Sequence, residues 1–242
     1  MGKRLIQQRR GRGTPTYQAH SYRWIADVKH RPYDDIEKSG VVTGKVTSIV
    51  HCAGHSAPLA QIMYNNKETA YIMAPYGIKV NDEVASGAKA EPKPGNTLPL
   101  QHIPEGTLIY NLERKPADGG KMVRSAGTTA TVVTVTKDQV MVLLPSKKEV
   151  PFSPNCRATI GVIAGGGRSE KPFVKAGKRH YLMRARGKLY PLTSGVAMNA
   201  VDHPFGCGRG RHVGKPKTVG QHAPPGAKVG KVRARRTGRR VK

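Results

Sequence analysis

The chain is poor in acids, aromatic residues and cysteine, and it contains no long apolar run. Of its 242 residues only 15 are Asp or Glu against 42 Lys or Arg, so it carries a formal charge of +27 and an isoelectric point near 10.4. A compact fold bearing that much like charge repels itself, which points to a polyanionic partner: nucleic acid, an anionic membrane surface or a sulfated polysaccharide. No apolar stretch approaches the length of a membrane span, and Met1-Gly-Lys-Arg is not followed by the hydrophobic segment of a secretory signal. The reading is a cytoplasmic protein with no membrane partner. Cys52, Cys156 and Cys207 are odd in number, widely spaced and without a Cys-x-x-Cys pair. Neither a disulfide framework nor a zinc ribbon is indicated, and a reducing compartment fits.

What is abundant is basic charge, and its distribution is uneven. Residues 1–31 hold eight basic residues and one acid, whereas residues 32–40 hold Lys38 against Asp34, Asp35 and Glu37. Residues 41–165 hold thirteen basic and nine acidic residues, an ordinary globular balance over a length sufficient for one or two small cores. Residues 166–242 hold twenty basic residues against Glu170 and Asp202, with thirteen Gly and six Pro. Such a segment buries too little apolar surface to offset its chain entropy, and it is expected to order mainly on its partner. The expected divisions are a basic arm over 1–39, one barrel over 40–90, a second over 91–165 and a basic Gly/Pro-rich extension over 166–242.

Within the middle region the periodicity is that of strands. From Gly40 to Cys52, Val42, Val46 and Val50 fall on one side and Thr43, Lys45 and Thr47 on the other. The resemblance of Gly40-Val-Val-Thr-Gly-Lys45 to a phosphate loop is superficial, being one residue short with Val46 where Ser or Thr would hold magnesium. Leu59–Tyr64 and Thr69–Ala74 flank the polar Asn65-Asn66-Lys67-Glu68 and predict a hairpin. Further short runs lie at Thr107–Asn111, Lys121–Ser125, Thr128–Thr136, Gln139–Leu144 and Ala158–Ile163, with a turn over Pro151–Pro154. Many short strands without alternating helices predict an all-β fold of barrels, with a boundary near Glu91-Pro-Lys-Pro-Gly95. A single basic helix is predicted within Lys171–Lys188.

Arg and Lys dispersed among Gly and Pro suit a folded RNA, because guanidinium pairs bidentately with phosphate and Gly allows close backbone approach. In the arm, Tyr17, His20, Tyr22 and Trp24 interleave with Arg23, so that rings stack on unpaired bases while the cation takes phosphate; alternatively Trp24 anchors the arm to a barrel. Asn199, Asp202 and His203 sit among small residues in the most unusual stretch, 195–210. Asp beside His invites a general-base reading, but adjacent residues of an extended chain face opposite ways, so a structural or RNA-contacting role is preferred. His51-Cys52-x-x-His55 lacks a fourth ligand, and Cys207 with His212 and His222 lacks a paired cysteine, so no metal site is expected.

Met198-Asn199-Ala200-Val201-Asp202-His203-Pro204, followed by a Gly-rich basic run, resembles the signature of the universal large-subunit ribosomal protein two family in its archaeal and eukaryotic form. Arg157-Ala-Thr-Ile-Gly-Val-Ile-Ala-Gly-Gly-Gly167, the Lys-Pro and Ala-Gly-Lys-Arg pieces after it, and Arg10-Gly-Arg-Gly with Tyr22-Arg23 extend the resemblance over essentially the whole chain. The resemblance implies an N-terminal OB-fold barrel, then an SH3-like barrel, then a long extension threaded into large-subunit rRNA. It implies a primary rRNA binder in the cytoplasmic ribosome, contacting neighbouring ribosomal proteins, needed for association with the small subunit, and reaching the tRNA and peptidyl transferase region. His203 matches the family's histidine. Ser194, Phe205 and Cys207 depart from the usual Arg, the second His of bacterial members and Gly, and the last two argue against catalysis by this loop.

The candidate rRNA-binding residues are Arg9, Arg10, Arg12, Tyr22, Arg23, Trp24, Lys175, Lys178, Arg179, Arg184, Arg186, Asn199, Asp202, His203, Arg209, Arg211, Lys215, Lys217, Arg235 and Arg236. No catalytic residue, protein-bound metal or cofactor is expected, with magnesium entering only through bound rRNA. The competing functions are an enzyme using His203 as base and an unselective polyanion binder of chromatin or heparin type.

Overall fold

The computed structural model describes residues 2–233, which form two compact units: residues 21–172, and residues 2–20 together with 173–233. The expected arm over 1–39 is thus divided after His20, and its second half belongs with the barrels.

The larger unit is all-β. Strand β1 (Val42–Val50) alternates less and more exposed residues along its length as its valines predict, across a bulge where Val46 pairs with Ile62 and Ser48 with Gln61. It pairs antiparallel with β2 (Leu59–Tyr64), which forms the expected hairpin with β3 (Thr69–Met73). On its other side lies β4 (Glu83–Ser86). Val42, Val46, Ile62, Ile72 and Val84 fill the core between these strands.

The second half contains β5 (Thr97–Pro99), β6 (Leu108–Tyr110), β7 (Ala130–Val135), β8 (Val140–Leu143), β9 (Glu149–Phe152) and β10 (Arg157–Ile160). The ladder runs β5-β10-β6-β7-β8-β9, and one parallel pair, Ser86 with Thr97, joins it to β4. Leu98, Leu100, Ile109, Val132, Val142 and Ile160 form its core. A third cluster, with Val28, Leu59, Met73, Tyr110 and Ile163, lies where the halves meet, and Tyr110 donates its hydroxyl to the Met73 carbonyl at 2.9 Å.

Two local expectations change. Pro151 lies within β9 rather than in a turn; this strand pairs only with β8, and an edge strand tolerates a residue with no N–H to donate. The expected strand Lys121–Ser125 reduces to an isolated bridge between Leu112 and Met122, because Val123 takes a left-handed φ of 52° that no ladder accommodates.

In the smaller unit α1 (Ile6–Arg10) begins where the Gln8 side chain accepts from the Leu5 N–H at 3.0 Å. The predicted basic helix is α3 (Ala176–Ala185), numbered after the short α2 (Asp35–Ser39) of the barrel unit. Among the described residues of this unit, only Leu5 and Val229 are buried hydrophobics.

Candidate nucleic-acid interface

Over residues 2–20 and 173–233 there are eighteen Lys or Arg and a single acid, Asp202. This unit therefore holds most of the charge with almost no core. α3 has no acid and no fully buried residue, and it carries Lys178, Arg179 and Arg184, with Lys175 and Arg186 as its end caps. Lys178, Arg179 and Arg184 are exposed, so the helix concentrates positive charge at the surface of this unit.

Arg9 and Arg10 close the last turn of α1, and Arg12 lies exposed just beyond it. Arg9 lines one cleft with Met198, Asn199 and Asp202, and Arg10 lines a neighbouring one with Leu5, Leu192 and His203. The structure thus brings together the arm's arginines and the 195–206 loop, which lie almost two hundred residues apart in sequence. Strapping the arm to the loop, the Lys3 N–H donates to the Val201 carbonyl at 2.8 Å and the Lys3 ammonium lies 3.3 Å from Asp202.

The loop is wound tightly on itself. The Asp202 and His203 N–H groups both donate to the Asn199 carbonyl, at 2.9 and 3.1 Å, and the Gly206 N–H donates to the His203 carbonyl at 2.8 Å. A Cβ on Gly206 would sit 2.3 Å from the Asn199 carbonyl oxygen, and one on Gly195 2.4 Å from the His203 ring, so both positions require glycine. His203 Nδ1 accepts from the Phe205 N–H at 3.0 Å, and the two rings are 5.2 Å apart. That bond leaves the neutral ring its proton on Nε2. Asp202 pairs with Lys3 while the Phe205 N–H occupies the position an orienting carboxylate would need, so the two side chains do not form a base and its orienter.

Tyr22 and Arg23 belong to the barrel unit, in a 3-10 turn where the guanidinium lies 5.4 Å from the ring centroid and Tyr22 is 75% exposed. Trp24 packs against the third core cluster and on the face of Gly54, 5.8 Å from the His55 ring, and so anchors its segment to the barrels. Arg209, Arg211, Lys215 and Lys217 are exposed along the turns after the loop. Arg235 and Arg236 lie outside the described residues.

Sequence reasoning missed a buried ionic cluster in the barrel unit. The Arg157 guanidinium donates to Glu113 at 2.8 Å, to Glu37 at 3.0 Å and to the Arg31 carbonyl at 2.8 Å, and it lies 4.8 Å from the Tyr33 ring. Arg31 in turn pairs with Asp34 at 2.7 Å, Glu68 at 3.0 Å and Glu37 at 3.3 Å, and Ser86 donates to Glu37. Burial raises the Glu37 carboxyl above its ordinary range, opposed by Ser86 and Arg157, while the Arg31 guanidinium holds Asp34 low. The cluster fastens residues 31–37 to both barrels. The one available signal was the local excess of acid over residues 32–40.

Two β barrels, followed in the chain by a highly charged segment with almost no core among its described residues, define a nucleic-acid-binding protein. Residues 3–86 match the family described as Ribosomal Proteins L2, RNA binding N-terminal domain, and residues 93–223 match Ribosomal Proteins L2, C-terminal domain. The chain belongs to the ribosomal protein L2 family. It is 55% identical over 240 residues to the large ribosomal subunit protein uL2 of Methanothermobacter thermautotrophicus, covering 99% of this chain and 100% of the relative. It is 52% identical to the proteins of that name from Methanosphaera stadtmanae, over 99% of this chain and 100% of the relative, and Natronomonas pharaonis, over 99% and 97%. The OB-fold barrel is the half built on β1–β4 and the SH3-like barrel the half built on β5–β10. The Pro-rich Glu91–Gly95 falls between β4 and β5, in the interval around which the two matches end and begin.

Proposed function

We propose that this chain is a structural constituent of the large ribosomal subunit, binding rRNA in the cytoplasmic ribosome and performing no chemistry of its own. The observation that carries this is the pairing of eighteen basic residues and one acid with only two buried apolar side chains over residues 2–20 and 173–233. That unit gains order and charge balance from phosphate. The relatives, named as large-subunit proteins over their full lengths, support the same assignment.

At finer scale, the chain acts as a primary rRNA binder, touches neighbouring ribosomal proteins, and supports subunit association and the tRNA and peptidyl transferase region through the 195–206 loop. The candidate basic and aromatic positions from Arg9 to Arg236 make its rRNA contacts. Magnesium enters with the bound RNA.

The test is ultraviolet crosslinking in cells, sequencing the attached RNA and recording the peptides that carry nucleotide. Discrete large-subunit rRNA sites on peptides from the tail and from residues 195–212 are expected. Dispersed or non-ribosomal crosslinks would replace this reading with that of an unselective polyanion binder.

A further inference from the structure

A third cleft in the smaller unit is lined by residues from the end of the arm and from the C-terminal half of α3 and just beyond it. It encloses about 380 Å³ and is lined by Pro15, His20, His180, Arg184, Lys188 and Tyr190 among others, none of them acidic. Its construction depends on one close approach. At Gly187, which follows α3 with φ of 59°, a Cβ would lie 2.8 Å from the Gln18 carbonyl carbon and 2.9 Å from the Ala19 nitrogen. Only glycine lets the arm backbone lie against the end of the helix there, and this contact sets the arm's Pro15 and His20 beside the helix residues that line the cleft.

The lining combines two recognition chemistries. The rings of His180 and Tyr190 stand 6.5 Å apart at 62°, with the Arg179 guanidinium 5.6 Å from the Tyr190 ring centroid. Arg184, in the last turn of α3, and Lys188, just beyond the helix, supply exposed cations to the same cleft. Rings beside cations in a basic cleft accept the face of an unstacked base together with its phosphate. The volume lies at the lower end of the roughly 300–1,000 Å³ typical of ligand clefts, suited to a single nucleotide and too small for a duplex.

We propose that this cleft holds one unpaired nucleotide of the rRNA, its base against His180 and Tyr190 and its phosphate on Arg184 and Lys188. The proposal rests on the rRNA-binding reading above and adds the site and the chemical form of the ligand.

The experiment uses the full chain bound to purified large-subunit rRNA, with ultraviolet crosslinking read by mass spectrometry and affinity measured across a salt series. The expected result is an adduct on His180 or Tyr190 at one rRNA position. The double variant His180→Ala, Tyr190→Leu should bind about tenfold more weakly or worse, with an unchanged slope of log affinity against log salt. Tyr190→Phe, which keeps the ring, should bind within about twofold of the parent. Arg184→Ala should lower the slope by about 0.7, the value for one single-strand phosphate. His180→Ala alone serves as the control for folding, since the side chain is exposed, and it should lose part of the affinity while keeping the parent's other crosslinks. Adducts only elsewhere, with parental affinity in the double variant, would overturn the nucleotide site while leaving rRNA binding intact. A parent chain that crosslinks at no preferred rRNA position would overturn the rRNA reading and this proposal with it.

Discussion

Arg157 and Glu113 meet through both backbone and side chain: the Arg157 N–H donates to Glu113 Oε2 at 2.9 Å, and its Nε and Nη2 donate to Oε1 at 3.2 and 2.8 Å. Both side chains are fully buried, and Glu37 completes the charge balance from the segment that precedes the first barrel. Desolvation makes such a cluster weak evidence for net stabilisation, but removing one member strands the others.

Arg157→Met should therefore cost about 3–5 kcal/mol, since it leaves Glu37 and Glu113 buried with reduced pairing. Urea unfolding of the full chain, followed at Trp24, measures this. The triple variant that also carries Glu37→Gln and Glu113→Gln should recover a large part of the loss. A cost below about 1 kcal/mol, the level of a surface pair, would mean that the cluster relaxes to reach water.

His30 gives the barrels a pH dependence. Its Nε2 bonds the Asn111 carbonyl at 2.7 Å, and burial, aided by the charge of Arg157, pushes its pKa from 6.5 down to about 4. The unfolded chain takes up the proton first, so the contribution is fully present above pH 6.5 and is lost as pH falls toward 4. That loss amounts to about 3 kcal/mol. Glu37, raised by burial, works in the opposite direction, and half-buried His55 in the same one. The quantity to measure is thus the difference in pH slope between the parent and His30→Gln, and equal slopes would contradict the assignment.

The tight winding of the 195–206 loop predicts that Gly206→Ala destabilises it by about 1–3 kcal/mol, the usual cost of forcing extra volume into a packed site. Limited proteolysis should show faster cleavage near this loop. The barrels form a separate compact unit, so their unfolding midpoint should not move.

His203→Ala tests the enzymatic alternative. With Nδ1 accepting from the Phe205 N–H and Asp202 paired to Lys3, the ring is held as a structural element. Ribosomes assembled with the variant should form peptide bonds at the parental rate, even where their yield falls. A rate drop on the order of a hundredfold, the lower range for removing a general base, would revive that role.

Much of the architecture was readable from the chain because the relevant forces are local. The valine alternation of β1 and the polar break between β2 and β3 predict these strands almost residue for residue. β4 and β5 escaped because three or four residues carry little periodicity, and β9 because Pro151 marks a turn as readily as an edge strand. In the smaller unit the basic residues were visible as charge, but the cleft at His180 and Tyr190 depends on Gly187 receiving the backbone of Gln18 and Ala19. No spacing rule links those positions.

The sequence by itself determined the all-β class, the concentration of charge in the terminal segments and the basic helix, since each follows from neighbouring residues and from a total that no folding alters. Only the tertiary structure decided that the first twenty residues join the tail while the next twenty join the barrels, and that Arg31 and Glu37 lie buried around Arg157 rather than solvated in a basic arm. The physical reason is that a charge is worth little in water and a great deal once desolvated. The role of a charged residue is therefore set by the partners that distant parts of the chain bring to it.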